Sequence, residues 1–411
     1  MVRELERKRF TSAKFPETAP AANPVFFRTY SRRKEAGVRE TWDQVCDRTL
    51  QALITLGKLL PHEADILERM QRNLKALPSG RWLWVGGTNW LKEQKNFSGA
   101  YNCTSTNLQD WSAFGLMVDL AMMGCGTGAV LEPQYINQLP PIRNRLQVQV
   151  RGEIGSTPAG ERREQTEVKI EGNIVTIYVG DSRQGWVKSY QSLLELSTDE
   201  RFSQDVQVIV DISDVRKAGE ALNGFGGVAN PVKLPGLYER CASILNKAVG
   251  RQLNSVECCL LIDEAAVTIV AGNIRRSAGM RQGFSEDNLF ADAKNNLWQQ
   301  DENGNWRIDP ERDALRMANH TRVFHQKPTL QECLDAVRKQ YYSGEGAIQW
   351  AGEAIARANC DLLRNHEQKV DFLKAYAEGK AKDWLQENYP QIPESELEHR
   401  LARYGLNPCG R

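Results

Sequence analysis

The stretch from Asp181 to Met280 alternates helix-like and strand-like segments, and this alternation constrains the fold more than any other feature of the sequence. "DSRQGWVKSYQSLLELS" (181–197) predicts a helix in which Asp181 or Ser182 is the N-cap residue. "VQVIVDIS" (206–213) is a continuous apolar run, which is typical of a strand buried in a parallel sheet. A glycine-rich turn, a further helix and a second helix-to-strand passage in "AAVTIVAGNIRRSAGM" (265–280) follow. The pattern predicts an α/β fold.

The two ends of the chain predict helices. Residues 1–38 are rich in proline and alanine and then basic, which is typical of an extended arm. Apolar residues recur at helical spacing in 41–60 and again in 63–77, where "PSG" ends the second helix. Residues 329–403 also have a mostly helical pattern.

Residues 146–180 carry a third kind of pattern. "LQVQV", "TEVKIEG" and "IVTIYVG" alternate apolar and polar residues, and a loop rich in glycine and glutamate separates the first two. Strict alternation indicates strands with one buried face, so this region predicts a small, half-exposed antiparallel sheet.

The charge balance excludes some classes of partner. The chain has 53 lysines and arginines against 52 aspartates and glutamates, so net charge favours neither nucleic acid nor a membrane surface. No apolar run approaches the roughly 18 residues that a membrane helix needs. The charged N-terminus, "MVRELERKRF", lacks the apolar core of a signal peptide. We therefore expect a cytoplasmic protein.

The cysteines predict neither a metal site nor a disulfide framework. There are nine, an odd number, and none forms a CxxC motif or a cluster with histidine. Most fit the role of small buried apolar residues. Cys103, Cys125 and Cys409 alone lie in loop-like surroundings, and we interpret Cys125 as structural.

Three segments could approach an anionic ligand. "GCGTG" (124–128) and "GFGG" (224–227) offer unobstructed backbone N–H groups, but neither matches a dinucleotide-binding or Walker A loop. "GNIRR" (272–276) places two guanidinium groups at a predicted strand. Close packing of elements explains such glycines more often, and solvated surface arginines are the commoner explanation of an Arg–Arg pair.

The last nine residues, "RYGLNPCGR", place a cysteine between proline and glycine. Such a triplet suits neither a helix interior nor a strand interior, whereas a tight loop can hold a thiol at its tip. The alternative is a frayed terminus, and these nine residues alone leave both interpretations open.

Seven segments in collinear order carry a resemblance to a known family. They are "NPVFFRTYSRR…ETWDQV", "PSGRWLWVGGT", "NCTSTNL", "GFGGVA", "VAGNIRRSA", "SGEGAIQW" and "YGLNPCG". From about residue 16 onwards the chain resembles the N-terminal part of adenosylcobalamin-dependent (class II) ribonucleotide reductases, of the monomeric ribonucleoside-triphosphate type. "YGLNPCG" is the most specific of these segments.

The resemblance implies an α/β barrel of ten strands built from two five-stranded halves, with the radical-bearing cysteine on a finger loop between them. The fold expected here is an N-terminal helical region followed by the first half-barrel, with a small antiparallel β/helical insertion. The predicted domains are the arm and helices (1–95), the start of the half-barrel (96–130), the insertion (131–230), the rest of the half-barrel (231–403) and a truncated finger loop (404–411).

The resemblance also implies roles for individual residues. Cys409 matches the cysteine that becomes the thiyl radical, and Cys103 matches the one that protonates the leaving 2′-hydroxyl and becomes half of a redox-active disulfide. Asn407 hydrogen-bonds the ribose hydroxyls, and Ser105 and Gly410 complete the implied substrate-binding set. A buried strand thiol is the plain alternative for Cys103.

One departure from the family pattern bears on activity. Arg411 stands where the family has a glutamate that acts as a base, and the chain stops there. Neither the disulfide partner of Cys103 nor most cobalamin contacts are among its residues. We expect the isolated chain to be inactive without the C-terminal half of the same enzyme.

The implied cofactor is adenosylcobalamin, and the implied partners are a ribonucleoside triphosphate, a thioredoxin-like reductant and a deoxynucleoside triphosphate effector. The effector would bind the insertion through Asp181, Ser182, Arg216 and Lys217; a structural hairpin decorating the barrel is the alternative. Two other functions stay open: a stand-alone nucleotide-binding or regulatory fragment, and a glycyl radical enzyme, which also has a cysteine-tipped finger loop.

Overall fold

The computed structural model describes residue 15 and residues 17–34, 37–203, 205–220, 229–270 and 278–408. The "GFGG" and "GNIRR" segments lie outside the described residues, as do Cys409, Gly410 and Arg411. The described residues form two compact units, one built from residues before Cys103 and the other from Cys103 onwards.

The helices of the described residues are, in chain order, α1 (Ala22–Val25), α2 (Trp42–Gly57), α3 (Pro61–Arg72), α4 (Gly80–Val85), α5 (Asn89–Lys92), α6 (Trp111–Met122), α7 (Pro133–Ile136), α8 (Arg183–Leu196), α9 (Leu234–Lys247), α10 (Ser255–Val270), α11 (Asn288–Ala291), α12 (Leu330–Ser343), α13 (Ala351–Ala358), α14 (His366–Ala377), α15 (Ala381–Asn388) and α16 (Glu394–Leu401). In this part of the chain, no helix is both long enough and apolar enough to span a membrane.

The strands are β1 (Cys103–Asn107), β2 (Gly126–Val130), β3 (Leu146–Arg151), β4 (Glu167–Glu171), β5 (Ile174–Tyr178), β6 (Val206–Asp211), β7 (Gly279–Phe284), β8 (Trp298–Gln300), β9 (Trp306–Ile308), β10 (Ala318–Phe324) and β11 (Ala347–Trp350).

The first unit contains both helices predicted near the N-terminus. Thr41 begins α2 with a capping box, in which its side chain accepts from the Gln44 backbone while the Gln44 side chain accepts from the Thr41 backbone. Phe26, Trp42 and Leu83 form part of the small core beneath α2. The second helix, α3, ends at Arg72, five residues earlier than the apolar pattern predicts.

The second unit is built on a five-stranded sheet of order β1-β2-β7-β10-β11. Every neighbouring pair is parallel, and each strand lies beside the next strand of this sheet along the chain. Helices connect these strands, as the alternation of helix and strand patterns predicts. The predicted α/β class is confirmed.

One face of the five-stranded sheet packs on helices through a fully buried ion pair. Arg281 of β7 donates to Asp263 Oδ1 of α10 through Nε (3.1 Å) and one terminal nitrogen (2.7 Å), and neither side chain is exposed. Its other terminal nitrogen donates to the Thr127 carbonyl of β2. The guanidinium therefore ties two strands and a helix together inside the core.

The insertion contains a four-stranded sheet of order β3-β6-β5-β4. The prediction of an antiparallel sheet is correct only for β4 and β5, because β6 lies between β3 and β5 and pairs with both in parallel. Alternation reports that one face of a strand is buried and does not report the direction of its neighbour. The partner that decides the topology arrives from "VQVIVDIS", far along the sequence.

Candidate active site

Alternate residues of the five-stranded sheet share the face opposite the Arg281 ion pair. Side chains alternate between the two faces along a strand, and paired residues of neighbouring strands point to the same face. The strand pairing therefore shows which residues share this face. It carries Cys103 and Ser105 of β1, Gly126, Gly128 and Val130 of β2, Gln282 of β7, Thr321 and Val323 of β10, and Gln349 of β11. We call it the inner face.

Residues 404–407, which we call the terminal segment, cross the inner face. A Cβ atom on Gly128 would overlap the carbonyl oxygen of Leu406, and a Cβ atom on Gly405 would overlap the Ser105 hydroxyl. Contacts this close are possible only because both positions are glycine. The backbone of the terminal segment therefore lies directly on β1 and β2.

Two glutamines of the inner face bind the main chain of this segment. Gln349 Nε2 donates to the Tyr404 carbonyl at 2.8 Å, and Gln282 Oε1 accepts from the Leu406 amide. Gln282 Nε2 in turn donates to Gln349 Oε1 and, more weakly, to the Tyr404 carbonyl at 3.3 Å. Gln282 is fully buried, so its amide group finds all these partners within the protein.

The side chain of Tyr404 anchors the start of the segment in a buried polar network. Its hydroxyl donates to Glu132 Oε2 at 2.5 Å and accepts from Gln134 Nε2 at 2.6 Å. His325 Nε2 also lies 2.9 Å from Glu132, and His325 Nδ1 contacts the Tyr376 hydroxyl. Burial, and then the nearby Glu132 carboxylate, raise the pKa of Tyr404 well above its ordinary value.

The structure brings together some of the substrate residues predicted from sequence. Cys103 is half-buried and lies two residues before Ser105 on the same face of β1, and Ser105 contacts Gly405. Asn407 is half-buried at the end of the terminal segment. Gly405 contacts β1, the strand that begins with Cys103, and Leu406 contacts β2 and β7.

The four predicted effector residues also lie together, and two of them, Asp181 and Arg216, bind each other. Asp181 accepts from the Arg216 side chain at 2.9 Å and from its amide at 3.0 Å. Ser182 is the N-cap of α8, accepting from the Gly185 amide and donating to the Glu164 carbonyl. The Lys217 side chain is exposed, while its backbone amide donates to Glu220.

Sequence reasoning missed the residue that organises this cluster. Arg162, in the loop between β3 and β4, forms a bidentate pair with Glu220 and also reaches Asp181. These hydrogen bonds hold the pKa of Glu220 at about 2, with the Arg162 side chain as the largest cause. The pair of arginines in "GERRE" was the available signal, although the sequence does not say which acidic groups they meet.

One buried group within the described residues has the spacing of a metal site. Ligand atoms of Cys259, Asp263 and His320 lie within 4.8 Å of one another. Asp263 is already paired with the Arg281 guanidinium, and Cys259 Sγ donates to it at 3.2 Å. Burial raises the pKa of Cys259 and lowers that of His320, so the thiol stays protonated and the imidazole neutral. A fixed positive charge beside the carboxylate opposes a cation there.

Comparison with known proteins finds relatives of one kind. Residues 153–240 match the family model for the insertion domain of B12-dependent ribonucleotide reductase. The adenosylcobalamin-dependent ribonucleoside-triphosphate reductase of Lactobacillus helveticus is 28% identical over 316 residues, which cover 66% of this chain and 42% of the relative. The enzyme of the same name from Lactobacillus delbrueckii subsp. bulgaricus is 26% identical over 395 residues, which cover 86% of this chain and 50% of the relative.

The fold points the same way. A crystal structure of a B12-dependent (class II) ribonucleotide reductase superposes with a TM-score of 0.62 at 20% identity, covering 77% of this chain and 47% of that chain. The chain thus spans about half the length of the relatives it matches. The resemblance inferred from the seven sequence segments is confirmed: the chain is similar to part of the adenosylcobalamin-dependent (class II) ribonucleotide reductases.

Proposed function

We propose that this chain is the part of a ribonucleoside-triphosphate reductase that carries the radical-forming thiol and one of the two reducing thiols. Cys409 is the thiyl site, Cys103 protonates the leaving 2′-hydroxyl, and Asn407 hydrogen-bonds the ribose hydroxyls, with Ser105 and Gly410 beside the substrate. The observation that carries the proposal is the path of the terminal segment, which crosses the sheet face that bears Cys103 and Ser105. The names of the relatives support a triphosphate substrate.

The residue types match the chemistry. A Cys409 thiyl radical takes the 3′ hydrogen atom of the ribose and becomes a thiol, since S–H and ribose C–H bonds have similar strengths. The 2′-hydroxyl gains a proton from Cys103 and leaves as water. A second thiol delivers its hydrogen to C2′, so that it and Cys103 together supply two electrons and two protons and become a disulfide. Cys409 then returns the hydrogen atom to C3′. A thioredoxin-like dithiol then reduces the disulfide, which supports a cytoplasmic location.

The relatives depend on adenosylcobalamin by name, and that cofactor supplies the first radical. Two cavities of the described residues do not fit it. One is an open groove of about 540 Å³ between β3 and α9, lined by charged residues such as Arg145 and Glu239 and remote from the inner face. The other, beside His320 and Lys294, has about 20 Å³, room for little more than a water molecule. Neither of these two cavities therefore fits the cofactor.

A second half of the enzyme would complete the sheet. In the five-stranded sheet β1 and β11 are the edge strands, and their outer N–H and C=O groups can pair with further strands. We propose that five more strands supplied by the C-terminal half close a barrel of ten. The isolated chain then lacks a closed active site and reduces no nucleotide.

The insertion is the proposed effector site. Arg162, Arg216 and the exposed Lys217 supply positive charge near the N-terminus of α8. A deoxynucleoside triphosphate would recruit Arg216 and Lys217, displacing Asp181 as the partner of Arg216. The same charge also fits the competing function, a nucleotide-binding or regulatory fragment without catalysis.

A thiol-bridging reagent tests the catalytic assignment directly. Dibromobimane, which links two neighbouring thiols, is expected to join Cys103 to Cys409 in the folded chain, and peptide mapping reports the pair. Cys409→Ser and Cys103→Ser each remove the bridge, while Cys333→Ser leaves it. If the folded chain never forms this bridge, the catalytic assignment is refuted. The nucleotide-binding or regulatory fragment then remains as the proposed function. In the chain joined to its C-terminal half, Cys409→Ser abolishes deoxynucleotide formation.

A further inference from the structure

The main chain of the terminal segment is bound by two glutamines of the inner face. The Tyr404 carbonyl accepts from Gln349 and Gln282, and the Leu406 amide donates to Gln282. Between these two residues, Gly405 offers no side chain and lies against Ser105. The two glutamines therefore act on the segment as a neighbouring strand would, with one donor and one acceptor.

Glutamine is the residue type that this arrangement requires. A side chain that binds both a backbone carbonyl and a backbone amide of this short segment must have a hydrogen-bond donor and an acceptor. The primary amide of glutamine provides both. A carboxylate at Gln282 could accept from the Leu406 amide but could not donate to Tyr404 or to Gln349. An ammonium group could donate but could not accept. The Gln282–Gln349 hydrogen bond keeps the two amides in one orientation.

The inner face is shaped to receive the segment at the same place. Gly128 leaves room for the Leu406 carbonyl oxygen, and its backbone does not have a positive φ. An alanine at this position would therefore be compatible with the strand itself. Its chief conflict would be with the carbonyl of Leu406, and it would also come within 3.1 Å of the Thr104 carbonyl oxygen of β1.

We propose that Gln282 and Gln349, with Gly128 beneath, form a clamp that positions the thiol-bearing end of the chain over Cys103. This inference rests on the proposed function, because it assigns the clamp to Cys409, which follows Leu406 by three residues in the sequence. The glutamines touch neither substrate nor cofactor; they are positioning residues that act through the main chain. Reduction by the complete enzyme would depend on them through the placement of Cys409.

The test measures dibromobimane bridging and amide hydrogen exchange on the full 411-residue chain. Gln282→Ala and Gln349→Ala are each expected to slow formation of the Cys103–Cys409 bridge about fivefold, the effect of one lost main-chain hydrogen bond. Amide exchange at Leu406 should accelerate in Gln282→Ala. Gln207→Ala is the matched control, because Gln207 donates to Gln147 in a similar amide pair on the smaller sheet.

Removing the buried amide of a glutamine could prevent folding, so Gly128→Ala provides a second test. Gly128→Ala removes no hydrogen bond, yet it should displace Leu406 and slow the bridge, while Gly236→Ala, where an added Cβ meets no neighbour, should not. If the wild-type chain forms the bridge and the Gln282, Gln349 and Gly128 variants form it equally fast, the clamp is refuted and the proposed function stands. If the wild-type chain itself forms no bridge, the proposed function fails first.

Discussion

The Tyr404 hydroxyl donates a hydrogen bond to Glu132 across 272 residues of sequence, at the point where the terminal segment begins. Glu132 follows β2, so this contact fixes the segment to the strand that carries Gly128. The carboxylate is almost fully buried and also binds Gln134 and His325. A buried carboxylate with three partners is costly to disturb, which makes it a firm anchor.

Replacing Tyr404 with phenylalanine tests this anchor. We expect a loss of about 1–3 kcal/mol in the free energy of unfolding, since Glu132 loses a donor in a buried place. Amides of the terminal segment should exchange faster. Chemical denaturation with hydrogen exchange measures both, and Tyr341→Phe, at a side chain that is 83% exposed, is the control. Equal stability of the two variants would contradict the anchor.

The same phenol predicts a pH dependence. Because its folded-state pKa is raised, Tyr404 stays protonated in the native protein while an unfolded tyrosine ionises near pH 10. The contribution of Tyr404 to the free energy of unfolding is complete below pH 10 and is lost as the pH rises above that value. The stability difference between wild type and Tyr404→Phe should therefore narrow by about 1.4 kcal/mol per pH unit above pH 10. A constant difference from pH 9 to 11.5 would refute this.

The buried ion pair of Arg281 and Asp263 predicts a strong asymmetry between single and double substitutions. Arg281→Met should destabilise the fold by about 3–5 kcal/mol, because it leaves the Asp263 carboxylate buried without its partner. Arg281→Met combined with Asp263→Leu should recover most of that loss. Thermal and urea unfolding measure the cycle, and additive losses would show that the pair is not coupled.

The proposed effector site implies that Asp181 and a nucleotide compete for Arg216. Asp181→Asn should therefore tighten binding of a deoxynucleoside triphosphate, whereas Arg216→Ala should weaken it. Calorimetric titration gives the affinities, and hydrogen exchange of residues 181–220 maps the site. Thr329→Ala, which removes the N-cap of α12 outside the insertion, is the control for loss of a helix cap. Unchanged exchange in a folded sample would remove the effector assignment.

The Arg162–Glu220 pair predicts a titration shift that needs no ligand. Replacing Arg162 with glutamine should move the pKa of Glu220 from about 2 towards its ordinary value of 4.5. The contribution of this ion pair to the free energy of unfolding is present above pH 4.5, the ordinary pKa of a glutamate, and is lost as the pH falls through about 2. Carbon-detected NMR titration follows the carboxyl directly. Arg163→Gln, which removes the partner of Asp214 instead, should leave Glu220 unshifted.

The sequence by itself determined the elements whose signals are local. The N-cap of α8, predicted at Asp181 or Ser182, and the buried run of β6 each depend on residues within a few positions, so both could be predicted. The resemblance carried by "NCTSTNL" and "YGLNPCG" was likewise a matter of local residues, and the comparisons confirmed it. The roles of Cys103, Asn407 and Cys409 stay predictions.

The tertiary structure alone decided which distant residues meet. No spacing in the sequence relates Gln282 and Gln349 to the backbone of Tyr404 and Leu406, because partners more than fifty residues apart are brought together only by sheet order. The same holds for β6, whose insertion between β3 and β5 turned a predicted antiparallel sheet into a mixed one. The alternation of apolar and polar residues along a segment indicates which side chains are buried. Which residues those side chains contact depends on where the rest of the chain packs.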